Sequence, residues 1–457
     1  MTHRRSPLST ILVGTVLGLA GLGLAGGILE SGAADVYLEA TRPDFQKVPV
    51  GVLGFQDVGI QSRPGKVATD VLSADLRRSQ VFAVADASRL GIRLDGPGAP
   101  DRQKLKQAFD SGIKVLVWGS IGARNPDYLL DRFIYDGGED DGAAKRYVGS
   151  KALLRQMAHR LADELVARYT GEPGIARTRI AYVAELKGAR ELYLMDYDGH
   201  GPRQVTYDGF LNLAPQWSPD RKFLVFTSYQ SRTRQNIEIV DLSTGKRSPL
   251  VSLAGLNITP ALSPDGTKLA FATSQDGNSE LYTMDMQTKE LQRLTVHSAG
   301  DLSPSWAPTG KELAFTSDRG GGPQLYLMSA DGSNVRRLTF DGDYNAAPVW
   351  SPRGNWIAYV CRSGQRQYKI CLISPDGQKR SQVTFGGSID DSPSWSPDGR
   401  HLVFSATTGG KTQIFMINSD GKELEQLTWN GSHNSMPAWS PAEIQKIGLQ
   451  PTEKEKK

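Results

Sequence analysis

Residues 301–318 read DLSPSWAPTGKELAFTSD. Pro304 and Trp306 open a short apolar stretch, Pro308-Thr309-Gly310 makes a turn, and Leu313-Ala314-Phe315 resumes as a second strand. The pattern recurs. Turn prolines stand at 219, 264, 308, 352, 397 and 441, at intervals of 45, 44, 44, 45 and 44 residues. Four residues before each stands another: Pro215, Pro260, Pro304, Pro348, Pro393 and Pro437. Five units carry a tryptophan two residues after that proline (Trp217, Trp306, Trp350, Trp395, Trp439), and Leu262 takes its place in the other. A period near 44 with short apolar strands is the signature of propeller blades.

Each unit divides into four strands, as in the Pro-x-Trp stretch, 312–317, 324–329 and 335–339. Asp-Gly pairs at 265–266, 331–332, 376–377 and 398–399 suit tight hairpin turns. The first unit, at 180–183 and 191–196, lacks a Pro-x-Trp strand, and the last such strand, at 437–439, has no unit after it. The C-terminal strand is therefore expected to complete the first blade, which removes two open sheet edges. The expectation is an all-β six-bladed propeller over residues 176–441, followed by a polar tail over 442–457.

Three residues before each first proline stands Asn212, Asn257, Asp301, Asn345, Asp390 or Asn434. The first strand of a blade is innermost, so these six are expected to ring one mouth of the central channel. Such a ring could take a peptide, or a hard cation such as calcium through Asp301 and Asp390. Asn and Asp also recur simply because they cap turns. Neighbouring residues vary between units (Leu256, His297, Tyr344, Ile389, His433), as a specific partner surface requires.

Residues 35–170 predict an α/β domain. Strands are expected at 48–55, 81–85 and 113–121, a hairpin at 128–135 with 146–149, and helices at 66–79, 103–111 and 152–169. The first helix is expected to bury Val67, Ala68, Val71, Leu72 and Leu76. No phosphate loop, dinucleotide fingerprint or metal-ligand spacing appears, and His159 reads as a surface or packing residue. The chain also lacks a Gly-x-Ser-x-Gly elbow, so catalysis is not expected.

Residues 1–34 read as an export segment: Arg4 and Arg5, an apolar run from Ile11 to Leu29, then small residues ahead of a cut before Asp35. The run is long enough to be kept as an anchor instead. Either way the folded part lies outside the cytoplasm. There the two cysteines, Cys361 and Cys371, can bridge or stay as buried thiols. A net charge of +4 over 457 residues, without a basic stripe, argues against nucleic acid.

An export segment, a small α/β domain and PxWSPDG-type units together resemble the TolB family, most specifically at 178–183 (TRIAYV), 195–199 (MDYDG), 311–318 (KELAFTSD) and 437–441 (PAWSP). The resemblance implies a monomeric periplasmic protein of the Tol-Pal system that supports outer-membrane invagination at division and envelope integrity. It implies that Pal binds the channel-mouth face, here the loops with Leu256, Asn257, Thr259, Asp301, Asn345, Asp390 and Asn434. It implies that TolA binds the mature N-terminal segment, here Asp35-Val36-Tyr37-Leu38, although this stretch is short and soon meets Pro43. Calcium in the channel is also a family property. The alternative is a propeller that binds a small ligand or peptide in an unrelated exported pathway.

Overall fold

In the computed structural model, the described residues are 46–86, 91–92, 94, 100–137, 145–231, 234–363 and 367–443. The expected export segment, the residues Asp35-Val36-Tyr37-Leu38 and all but the start of the polar tail lie outside them.

The first domain runs β1 (Val48–Val58), α1 (Pro64–Arg78), β2 (Phe82–Ala85), α2 (Arg102–Asp110), β3 (Val115–Arg124), β4 (Asp127–Tyr135), β5 (Lys145–Ser150) and α3 (Leu154–Thr170). Its sheet has the order β2-β1-β3-β4-β5. β1 is parallel to both neighbours, whereas β3-β4-β5 is an antiparallel meander. This is the mixed sheet that alternating strands and helices imply. On α1 the buried stripe is Ala68, Val71, Leu72, Asp75 and Leu76. Val67, expected on that stripe, faces solvent. It lies one residue, about 100°, off the i, i+3, i+4, i+7 set that the remaining residues satisfy.

The second region opens with β6 (Arg179–Leu186), β7 (Ala189–Asp196), β8 (Arg203–Gln204), β9 (Leu211–Trp217), β10 (Phe223–Ser231), β11 (Arg234–Asp241) and β12 (Arg247–Val251). Four separate four-stranded sheets follow, with inner strands Asn257–Leu262, Asp301–Trp306, Asn345–Trp350 and Ile389–Trp395. β6 to β12 and the C-terminal strand His433–Trp439 form one eight-stranded sheet. Within it, β7 and β9 meet through a single parallel pair, Arg190 with Leu211. The C-terminal strand pairs antiparallel with β6, as the missing first-unit strand requires.

Three of the five repeated tryptophans tie successive inner strands together. Trp306 Nε1 donates to Ala261 O at 3.0 Å, Trp395 Nε1 to Val349 O at 3.0 Å, and Trp217 Nε1 to Ala438 O at 2.9 Å. A buried indole N–H needs an acceptor; in these three the preceding inner strand supplies it, whereas Trp350 donates to Gly354 O at 3.3 Å in its own turn and Trp439 to Thr178 Oγ1 at 2.7 Å. Cys361 and Cys371 are joined in a disulfide across one hairpin, with their Cα atoms 5.9 Å apart.

The two regions share one hydrophobic core. Leu72, Leu161 and Leu165 pack in a cluster with Ile180, Tyr182, Tyr197, Val403, Met416 and Trp439. Arg78 clasps Glu425 across the same junction, Nε to Oε2 at 2.9 Å and Nη2 to Oε1 at 2.6 Å. Among the described residues no helix is long and apolar enough to cross a membrane.

Candidate functional site

All six repeated Asn/Asp side chains are buried, at 0–4 % exposure. Four of them bond a polar residue near the start of the third strand of the preceding unit. Asn212 Nδ2 donates to Glu191 Oε2 at 3.1 Å, Asn345 Nδ2 to Gln324 Oε1 at 3.0 Å and Asn434 Nδ2 to Gln413 Oε1 at 3.0 Å, while Lys369 Nζ donates to Asp390 Oδ2 at 3.0 Å. Threonine completes the lock: Thr295 donates to Glu280, Thr339 to Gln324 and Thr428 to Gln413. Each threonine oxygen also accepts the next third-strand N–H, at 2.9 Å in all three.

Two units vary the theme. Asp301 follows Glu280, and two carboxylates cannot bond each other, so Asp301 Oδ2 accepts from Arg319 Nη2 at 2.7 Å. Asn257 Nδ2 donates to the carbonyls of Gln235 and Leu253 at 3.0 and 2.9 Å.

This corrects the expectation of an open ring at the channel mouth. In the described structure the side chains of Asn257, Asn345, Asp390 and Asn434 hold unit to unit, that of Asp301 pairs within its own unit, and all are buried rather than presented as a polar ring to a ligand. Calcium at Asp301 and Asp390 loses its rationale as well. Arg319 and Lys369 already supply the positive charge at those two carboxylates, and neither belongs to a converging group of metal-ligating side chains among the described residues.

The channel wall begins two residues later, with Ala214, Thr259, Ser303, Ala347, Ser392 and Met436 around a cavity of about 600 Å³. Thr259 is thus the one predicted site residue that lines it. All six have φ between 49° and 53°. Each precedes a proline and sits in a bulge of the inner strand, where the pairing register shifts. That conformation is unfavourable for residues with a Cβ. It recurs because the bulge re-aims the strand around the channel. Asp391 also lines the cavity. Its surface is open to channel water, yet protein mass surrounds it, and this burial pushes its carboxyl up against the opposing Ser392 N–H bond.

Above the buried lock stands an exposed apolar crown that the sequence reading missed. Tyr207, Val296, Phe340, Phe385 and Trp429 are between 66 and 79 % exposed. Each follows the blade-ending threonine at 206, 295, 339, 384 or 428. The segment holding each runs from the outer strand of one unit to the inner strand of the next, so the crown shares an end of the sheets with the Asn/Asp positions. Ile389 is exposed at the start of its inner strand, and Leu256 is half-buried with its N–H donated to Ser274 Oγ at 2.9 Å. The signal for the crown was present as an apolar residue following each threonine, at the repeat period.

Comparison with known proteins agrees with this architecture. The TolB beta propeller domain matches residues 166–443, and the TolB amino-terminal domain matches residues 36–137. The Tol-Pal system protein TolB of Anaeromyxobacter dehalogenans is 32% identical over 306 residues, covering 64% of this chain and 67% of that protein. The protein of the same name from Desulfosudis oleivorans is 30% identical over 264 residues, covering 57% of this chain and 60% of that protein. This chain therefore spans about 60% of the length of that relative. The crystal structure of TolB from Acinetobacter baumannii superposes with a TM-score of 0.72 at 28% identity, over 87% of this chain and 97% of that one. With a matching propeller, a matching amino-terminal domain and a shared fold, this chain belongs to the TolB family.

Proposed function

We propose that the chain is a non-enzymatic periplasmic scaffold of the Tol-Pal system, which binds Pal on the crowned face of its propeller. The crown is the observation that carries this reading. Five large apolar side chains stand exposed at corresponding positions of successive connections on one face, which suits a surface that a partner covers, and aromatic residues dominate interface energetics. The propeller has six blades in this reading: the eight-stranded sheet divides at the single β7–β9 pair into two blades, one of them closed by the C-terminal strand. The boundary between the N-terminal domain and the propeller falls between α3, which ends at Thr170, and β6, which starts at Arg179. The N-terminal segment at Asp35-Val36-Tyr37-Leu38 contacts TolA, so the protein links an outer-membrane lipoprotein to an inner-membrane complex during envelope invagination at division.

A pull-down of the periplasmic domain of Pal tests it. Wild-type protein is expected to retain Pal, and Phe385→Asp with Trp429→Asp to lose it while the fold is kept. Absence of Pal binding by the wild type would refute the scaffold role and favour a propeller with an unrelated ligand.

A further inference from the structure

His159 is fully buried on α3, and its Nε2 has no hydrogen-bond partner. Its other ring nitrogen, Nδ1, lies 2.7 Å from Asp75 Oδ2. Asp75 is itself buried, and its second oxygen accepts from Tyr197 Oη at 2.6 Å. With Nδ1–H given to Asp75, the imidazole carries its free lone pair on Nε2. That is the arrangement in which proteins present a histidine to a metal: a carboxylate behind the ring fixes its tautomer and orientation.

Beside the imidazole lies the turn after β7, where Asp196 and Asp198 stand on either side of Tyr197. One donor atom from each of His159, Asp196 and Asp198 lies within 4.8 Å of the other two. The carboxylates are not equally engaged. Asp198 pairs with Arg155 and accepts from His200 N at 3.1 Å. Asp196 has only long contacts, 3.4 Å from Gln156 Nε2 to each oxygen.

We propose that His159, Asp196 and Asp198 form a binding site for one divalent ion of the zinc class, at the junction of the N-terminal domain and the first propeller hairpin. One imidazole and two carboxylates are a donor set that suits zinc, whereas calcium takes oxygen ligands. Ligand atoms around a tetrahedral zinc stand roughly 3.4 Å apart, given bonds of about 2.0–2.1 Å. Asp196, held by no short bond, closes that gap by rotation of its side chain. Water fills the remaining position from the half-exposed side. The ion then staples α3 to the propeller hairpin, so the site is structural.

Calorimetric titration of the untagged full chain with zinc chloride, and separately with calcium chloride, tests the site. One zinc per chain is expected, with no comparable calcium binding and an upward shift of the thermal midpoint. Asp196→Asn removes a ligand at a half-exposed turn without touching the Asp75–His159 pair, and is expected to weaken zinc roughly tenfold or more and to abolish the thermal shift. His159→Gln is expected to do the same, and Asp196→Asn carries the test if that buried variant fails to fold. No zinc binding at millimolar concentration, undiminished zinc binding by Asp196→Asn, or equal affinity for calcium would each overturn the proposal.

Discussion

Lys369 Nζ lies 3.0 Å from Asp390 Oδ2, and both side chains are only 1 % exposed. The flanking units place Gln324 with Asn345 and Gln413 with Asn434 at the same two positions. One lock thus exists in a neutral and an ionic form on a single scaffold.

Breaking a buried ion pair on one side leaves an uncompensated charge, at a cost of about 3–5 kcal/mol, whereas replacing both partners can be nearly neutral. Asp390→Asn alone is therefore expected to lower the unfolding midpoint markedly. Adding Lys369→Gln, which recreates the neighbouring pair, should restore most of the loss. Urea unfolding of the two single variants and the double variant measures the coupling. Additive losses would show that the two side chains act independently.

Asp163 provides a pH signature. Burial raises its carboxyl to about 6, against the lowering from Arg177 and the Ala176 N–H. A carboxyl whose folded pKa lies above its unfolded value destabilises the fold when ionised. That penalty is fully present above pH 6 and fades as the pH falls toward 4, a swing of roughly 3 kcal/mol from this group. Asp163→Asn cannot gain this relief, so its stability deficit relative to wild type should be larger at pH 4.5 than at pH 7.5. Thermal melts at the two pH values check it, and an equal deficit at both would contradict it.

The disulfide between Cys361 and Cys371 closes a loop with a sequence separation of 10 residues. Chain-entropy arguments assign such a loop roughly 2–3 kcal/mol. A reductant is expected to lower the melting temperature of wild type and to leave a Cys361→Ala, Cys371→Ala double variant unchanged.

Ala347 has φ 52° immediately before Pro348 on the channel wall. Glycine tolerates that conformation, so Ala347→Gly should be neutral or stabilising by about 0.5–1 kcal/mol. Ala347→Val should destabilise by more than 1 kcal/mol, about the cost of a β-branched residue there. Paired unfolding curves measure both.

Much of this was legible in the sequence because turn chemistry is local. Pro-x-Trp and Asp-Gly signals lie within a few residues of one another, and their recurrence near 44 marks the units without knowledge of tertiary contacts. The role of the Asn/Asp positions was not legible, because it depends on partners 21 residues earlier, such as Gln324 for Asn345 and Lys369 for Asp390. Position in the repeat located these residues at one end of the blade, and burial then turned them from a binding ring into a lock. His159 is buried, as a packing residue would be, but its pairing was out of reach for the same reason: its partner Asp75 is 84 residues away on another helix. The crown was missed because Phe340 or Phe385, beside a short outer strand, looks like one more core residue.

The central claim, that the crowned face binds Pal, is tested most directly by calorimetry with the purified periplasmic domain of Pal. Wild type is compared with a Phe340→Asp, Phe385→Asp, Trp429→Asp triple variant. The account predicts saturable binding by wild type and a loss of at least about 2 kcal/mol, roughly thirtyfold in affinity, for the folded triple variant. Equal affinity of the two, or no binding by wild type, would contradict it.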